Sequence, residues 1–404
     1  MISELKIRNF KSLESVDLKL GHFNLLVGAN ASGKSNFLDA LRFLQGVGNG
    51  FSIDEILNGK PPTATSSKWD GIRGGSTLAA LRQKNGMPAS RIDFDVWFEP
   101  VSYLGVKKSG LHFQTNFSIA NPISWSERFF FGRQVWYEDS NSAPLRANAH
   151  GGSSRFIRYE VPVSAFRKFA ADTGESQQLF SDQHVSIGMM FLLLADMQFL
   201  DPLPSALRGY SSRVERMTEN GGGFAALIRE IETNGSKPAL LEWLKELRPD
   251  EVSDMYALSG ADNDFMVAIK EGNTEFRAAA ISEGTLRFIA LAAAFFQPSM
   301  PKVLVIEEIE KGLHPSRLRL LLELMRSQSK RTGTQVFATT HSPTLLAWLT
   351  EDDRKTTFVC TRDAESGATK MRSLAEIPRF EELIQEGSRI DELFAEGWLE
   401  SAPQ

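Results

Sequence analysis

Two stretches of this 404-residue chain carry side chains whose types and spacing suit phosphate chemistry. The first, Gly28-Ala29-Asn30-Ala31-Ser32-Gly33-Lys34-Ser35-Asn36, sets a glycine-bounded turn ahead of a lysine and a serine. Glycines let backbone N–H groups turn toward phosphate oxygens, and a helix that follows adds the positive end of its dipole. Lys34 would then reach the β- and γ-phosphates of ATP and Ser35 would hold Mg2+, with Gly28, Asn30, Ser32, Gly33 and Asn36 completing the cradle. The second stretch is Glu307-Glu308, an acidic pair at the carboxyl end of the apolar run Val303 to Ile306, where open α/β sheets bind ligands. Glu307 can hold the hydrated cation while Glu308 orients or deprotonates the attacking water. His341, just past the apolar run Gln335 to Thr339, is placed to donate a hydrogen bond to the terminal phosphate; a helix-capping or loop histidine would occupy the same position.

Between these stretches lies ISEGTLR, residues 281–287, in which Ser282 is an N-cap residue ahead of an apolar helical run. A serine hydroxyl and the first amides of a helix, here including Gly284, make a second anion site. The phosphate loop already surrounds its own nucleotide. A second site is useful if two copies of the chain face each other and sandwich two ATP molecules, which implies a two-fold, isologous dimer.

These groups need elements to hold them. Leu5 and Ile7, then Val16, Leu18 and Leu20, alternate as two short strands, and Phe23 to Val27 reads as a buried third strand leading into the glycine loop. A helix is expected over residues 34–46 and an exposed loop over 58–77. Ile92, Phe94, Val96 and Phe98 share one face, as do Leu111, Phe113, Phe117 and Ile119, which predicts an antiparallel meander with one packed face. A second loop is expected over 138–154. From about residue 183 to 247 the period turns helical, with FAALIREI and ALLEWLKEL as amphipathic helices. A hairpin around Glu271-Gly272-Asn273, a helix from Ser282, buried strands at 303–306 and 335–339, a helix over 316–328, a closing strand pair at 356–360 and 369–374, and a terminal helix complete the chain. The predicted fold is α/β, a nucleotide-binding head with a mixed central sheet built from residues 1–50 and 256–404, carrying an inserted β-meander over about 51–154 and a mainly helical insertion over about 155–255.

Composition narrows the function. The chain is 42% hydrophobic and 24% charged, with a net charge of -5, so whole-chain attraction to a nucleic-acid backbone is not expected. Cys360 is the only cysteine, which excludes an internal disulfide and a cysteine-rich zinc site. The apolar runs around Met189 to Leu194 and Phe288 to Phe296 fall short of the roughly 18 to 20 residues that span a bilayer. A cytoplasmic protein without membrane contact is the expectation. Asp352-Asp353 reads as a solvated loop pair rather than a metal site, and no nuclease domain is expected in cis after His341.

KIRNFKSL, GANASGKSN, ISEGTLR, VLVIEEIEKGLHP and ATTHSP, in this order, resemble the ABC-type ATPases, specifically the branch that includes SMC, RecF and the overcoming-lysogenization-defect (OLD) proteins. The resemblance covers the first 45 residues and roughly 280 to 350, and the stretch between is weakly matched. It implies that Ser282 and Gly284 contact the γ-phosphate of ATP bound to the other protomer, that Glu308 is the catalytic base and His341 the switch histidine, and that Gly312-Leu313-His314-Pro315 crosses the dimer interface. Lys11 matches a position whose basic side chain approaches the nucleotide phosphates. The usual Walker-B aspartate is Glu307 here, one methylene longer. The Q-loop glutamine is open among Gln83, Gln177, Gln178 and Gln198. The resemblance further implies a homodimer or higher even oligomer of ATP-sandwiched heads that regulates a separate effector, a nuclease in related two-gene modules of bacterial anti-phage defence. Two alternatives stand beside it. One is a RecF-like DNA-maintenance ATPase clamping DNA on Arg73, Arg82, Lys84, Lys107 and Lys108; the other is a scaffold that binds ATP and barely hydrolyses it.

Overall fold

The computed structural model describes residues 1–62, 68–83, 86–100, 102–103, 106–107, 110–119, 124–131, 134–140, 143–147, 182–212, 214–247 and 252–401. Its strands begin with β1 (Ile2–Phe10), β2 (Leu13–Lys19), β3 (Phe23–Val27), β4 (Ile92–Phe98), β5 (Ser102–Tyr103), β6 (Val106–Lys107), β7 (Leu111–Ser118), β8 (Ser124–Phe131), β9 (Gln134–Ser140) and β10 (Ala143–Ala147). They continue with β11 (Met197–Leu200), β12 (Val252–Ser259), β13 (Phe265–Glu271), β14 (Thr274–Arg277), β15 (Val303–Ile306), β16 (Gln335–Thr340), β17 (Thr357–Arg362) and β18 (Thr369–Ser373). The chain forms two compact units, each discontinuous in sequence: residues 1–21, 28–197 and 358–373, and residues 22–27, 198–357 and 374–404.

In the first unit the strands run in the order β10-β9-β8-β7-β4-β1-β2-β18-β17. Period-two alternation sends Ile92, Phe94, Val96 and Phe98 to one face, opposite Leu111, Phe113 and Phe117 of β7, and all of them are buried. The helix Lys34–Gly48 lies on that face. Its Phe43 stacks on Phe94 at 4.7 Å and on Phe117 at 4.9 Å. A fully buried phenylalanine of this kind contributes about 2–3 kcal/mol, so this cluster fixes the helix that follows the glycine loop. A second helix, Asp182–Ala195, packs so closely that a Cβ on Gly48 would meet the Ala195 nitrogen at 2.4 Å.

In the second unit β3, β16 and β15 are parallel and wholly buried, which is why FNLLV, QVFATT and VLVI read as near-continuous apolar runs. β11 lies beside β15 at the sheet edge. Helices Glu283–Ala293 and Pro315–Thr332 follow β14 and β15. Pro315 opens the second of these and Gly333, at φ 73°, closes it. β12, β13 and β14 form a separate antiparallel sheet, with Gly272 at φ 56° in the tight turn between β13 and β14.

Several sequence expectations change. MQFL is the strand β11 rather than part of a helical stretch, because four consecutive buried residues fit a sheet edge and give no helical stripe. Residues 143–147, expected in a loop, form β10 by pairing with β9. Within 58–77, Lys60 bridges to Trp69 and Ile72 is buried, so that segment is only partly loop. Asp353 is not solvated: it is buried, caps the turn at Thr350 and receives Arg326 at 2.6 Å, whereas Asp352 is exposed. Residues 148–181, which include the start of the expected helical insertion, lie outside the described residues. Among the described residues no helix is long and apolar enough to cross a membrane.

Candidate nucleotide site

In the first unit the glycine loop rests on backbone geometry. Gly33 stands at φ 105° immediately before the helix, and Ala31 at φ 64°, so the loop alternates hand as an anion-binding nest does. Gly33 also supplies no side-chain cap to the helix. Lys34 is 8% exposed and folds back so that its ammonium donates to the carbonyl oxygens of Gly28 at 2.6 Å and Ala29 at 2.8 Å. The Ser32 hydroxyl sits on a residue 4% exposed and has no hydrogen-bond partner among the described residues. An orphaned buried hydroxyl beside a lysine and a helix N-terminus fits a phosphate group.

Thr369 of β18 braces this loop. Its hydroxyl donates to the Ser32 carbonyl at 3.0 Å and meets Ser12 Oγ at 2.6 Å, and Asn36 Nδ2 donates to the same Ser12 Oγ at 2.6 Å. A Cβ on Gly33 would lie 1.9 Å from Thr369 Oγ1, so only glycine permits the approach. Asn36, expected in the cradle, therefore holds the turn after β1. Lys11 also lies against the loop's helix, but its ammonium is paired with the buried Asp39 and donates to the Arg73 carbonyl at 2.8 Å. Arg73, whose side chain is half exposed, in turn bonds Asp39 at 3.1 Å and the Ser35 carbonyl at 2.6 Å. Lys84 and Lys108 lie outside the described residues, as does the side chain of Lys107; Arg82 is exposed.

In the second unit β3 and β16 end level, with Val27 paired to Thr340, and the chain continues from them into Gly28 and His341. β15 ends beside them and delivers Glu307 and Glu308, both half-buried. Glu308 takes φ 49°, a left-handed conformation that a glutamate rarely adopts without support. Its N–H donates to Thr339 Oγ1 at 2.9 Å, while its carbonyl accepts from Arg287 Nη2 at 3.1 Å. His341 is held from both sides by Glu310, whose Oε1 accepts the His341 backbone N–H at 2.7 Å and lies 3.0 Å from Nδ1. That contact engages Nδ1 and leaves Nε2 as the ring's second donor or acceptor.

Ser282 caps the helix Glu283–Ala293. Its Oγ accepts from the Thr285 N–H at 3.2 Å and bonds Thr285 Oγ1 at 2.8 Å. Gly284 is needed for close approach, since a Cβ there would meet the Gly312 carbonyl at 2.3 Å. Ser282 and Thr285 line an open cleft of about 380 Å³ with Ile281, Phe276 and Arg317, whose Nη1 lies 3.3 Å from Thr285 Oγ1. Gln198 is buried, donating to the Met217 carbonyl and accepting from Gln297, and so is not poised to meet a nucleotide. Gln83 lies in a turn bonded to Met87, and Gln177 and Gln178 lie outside the described residues. Thr369, Thr339, Glu310 and Arg287 bond the candidate site residues and are absent from the sequence expectations. Only Arg287 carried a signal, as a charged residue inside an otherwise apolar helical run.

Residues 23–347 match the family described as "AAA domain, putative AbiEii toxin, Type IV TA system". An "ATP/GTP phosphatase" of Helicobacter pylori is 23% identical over 369 residues, 89% of this chain and 90% of that protein. The DNA replication and repair protein RecF of Glaesserella parasuis is 49% identical over 60 residues, which span 15% of this chain and 16% of RecF. Among solved structures, an SMC head bound to the C-winged helix domain of ScpA matches with TM-score 0.53 at 14% identity, covering 92% of this chain and 98% of that one. The Smc head of Pyrococcus furiosus, with an extended coiled coil and bound to the C-terminal domain of ScpA, matches with TM-score 0.52 at 14% identity, covering 95% and 99%. These last two likenesses show the fold, that of an ABC-type P-loop ATPase head.

Proposed function

We propose, because the chain belongs to this AAA-domain family and is an SMC/RecF-like ATPase that hydrolyses ATP, that it works as a dimerising head closed by two ATP molecules and gates a separate effector protein. The observation that carries the reading is the presence of two anion sites in one chain. One is the Ser32-Lys34 cradle with its orphaned hydroxyl; the other is the helix start at Ser282 that opens on a cleft beside Arg317. One nucleotide needs only the first.

In this reading the Gly28–Ser35 loop and Lys34 bind the phosphates, and Glu308 takes the proton of the attacking water. His341, its Nδ1 side held by Glu310, presents Nε2 to the γ-phosphate. Ser35 and Glu307 offer the hard oxygen donors that Mg2+ prefers; when bound, the cation neutralises charge on the phosphates. Ser282 and Gly284 meet the γ-phosphate held by the partner protomer. Glu307 in place of aspartate keeps the carboxylate and lengthens its arm by one methylene. The effector is proposed to be a nuclease encoded with the head in a bacterial anti-phage defence module; the family's description, which names the AAA domain itself as a putative toxin of a type IV toxin–antitoxin system, fits a two-gene setting of that kind. The head itself is taken to act in the cytoplasm.

Light scattering of Glu308→Gln protein, with and without ATP and Mg2+, tests the dimer. Mass should double on adding both, and Ser282→Arg should abolish the change. Mass that ignores ATP in both variants would remove the sandwich. The short RecF match supports a second reading, in which the closed heads clamp DNA; ATP-dependent DNA binding that falls steeply with salt would favour it over the effector.

A further inference from the structure

The helix that begins at Ser282 reaches the backbone of Glu308, the proposed base, through the side chain of Arg287. Arg287, five residues on, is nearly buried, with 3% of its side chain exposed. Its Nη2 donates to the carbonyls of both Glu307 and Glu308 at 3.1 Å. Its Nη1 donates to the Pro202 carbonyl at 2.5 Å and to Asp201 Oδ1 at 2.9 Å, just past the end of β11. Lys311, three residues beyond Glu308, closes the charge cluster by binding Asp201 at 3.0 and 3.2 Å. A buried guanidinium this heavily engaged is expensive to move, because its lost bonds would leave a buried charge short of partners.

The bond to Glu308 is the informative one. That residue stands at φ 49°, and its left-handed turn is held by Thr339 Oγ1 on the N–H and, on the carbonyl, by Arg287 together with the Lys311 N–H at 3.0 Å. Loss of the Thr339 or the Arg287 bond lets the backbone relax toward ordinary dihedrals and swings the carboxylate away from its water. Thr339 belongs to β16 and stays fixed with the sheet. Arg287 belongs to the helix whose first turn carries Ser282.

We infer that Arg287 is a positioning residue that couples occupancy of the Ser282 anion site to the geometry of Glu308. A phosphate drawn onto Ser282 sets the helix, the helix sets the guanidinium, and the guanidinium sets the left-handed turn from which Glu308 acts. Hydrolysis thereby waits for the second copy of the chain, with its ATP, to arrive at Ser282. The inference rests on the reading of Glu308 as base and Ser282 as the partner-facing site.

The test is a double-mutant cycle on single-turnover hydrolysis at saturating ATP, with nucleotide affinity measured alongside. Arg287→Gln should slow the chemical step on the order of 10- to 100-fold while the nucleotide Kd stays within about twofold, with partial recovery in Arg287→Lys. Ser282→Arg should slow the same step in the wild-type background and add little in the Arg287→Gln background. Losses that multiply would overturn the coupling. If Arg287→Gln does not fold, Thr339→Val takes its place: it should slow hydrolysis while leaving ATP-driven association intact, and a wild-type rate would overturn the inference. Full hydrolysis by Glu308→Gln would sink the site reading and the coupling together. A silent Glu308→Gln beside a fully active Arg287→Gln would sink the coupling alone.

Discussion

In the first unit the glycine loop is shaped by its own backbone. Gly33 and Ala31 take positive φ, the helix behind them is pinned by stacked phenylalanines, and the candidate phosphate-binding groups from Gly28 to Ser35 are consecutive. In the second unit the acidic edge is shaped by side chains from distant segments: Thr339 from one strand, Arg287 from a helix, Glu310 from the loop after Glu308. The loop is preorganised locally and the acidic edge by tertiary packing. A local device tolerates change elsewhere in the chain and fails at its glycines; a packed device fails wherever a neighbour shifts.

The sharpest way to break this comparison is to remove the chemistry from each region separately. Glu308→Gln should lower the hydrolysis rate about 10²–10⁴-fold with nucleotide binding retained, read by phosphate release beside a binding titration. Lys34→Ala should instead weaken nucleotide binding itself, by about 10- to 100-fold in Kd. If both variants lose binding equally, the division of labour between the two regions is wrong.

A smaller effect sharpens the same contrast at two glycines. Gly33→Ala puts a methyl 1.9 Å from Thr369 Oγ1 on a residue at φ 105°, so backbone strain and overpacking combine to cost about 2–4 kcal/mol. Gly284→Ala meets the Gly312 carbonyl at 2.3 Å but sits in ordinary helical backbone, so about 1–3 kcal/mol is expected. Thermal melts should rank Gly33→Ala as the more damaging; the reverse order would mean that the loop is the softer of the two.

Legibility follows the same division. The helix starts at Lys34 and Ser282 could be read from the sequence because each depends on neighbours a few residues away. Thr369 could not, since its partners Ser12 and Ser32 lie more than three hundred residues upstream and a strand threonine carries no local mark. Asn36 and Lys11 were read as facing the nucleotide because the motif places them there; their bonds to Ser12 and Asp39 depend on how β1 and β2 turn. β11 was hidden for a different reason: a short, fully buried edge strand has no alternation, and its flanking helices suggested one continuous period. The meander, with one buried face, was plain from Ile92, Phe94, Val96 and Phe98 alone.

The mildest test concerns Cys360, in the strand behind the loop. Burial pushes its thiol up to about 12 from an ordinary value of 9.0. A thiol whose folded pKa is raised favours folding below its unfolded pKa, and that contribution is lost as pH rises from about 9 toward 12. Chemical denaturation across that window should show stability declining in the native chain and a flatter profile in Cys360→Ala. Identical profiles would show that the thiol is not as enclosed as its strand position requires.

The interleaving of the two units also bears on how the protein is made. The first unit needs residues 358–373, and the hydroxyl that braces its loop is that of Thr369. On the ribosome the loop emerges more than three hundred residues ahead of its brace. A nascent chain therefore carries the glycine loop through that whole interval without the means to hold it in shape. Such a chain folds late, through contacts of long sequence separation. The loop takes its braced shape only once Thr369 has left the exit tunnel.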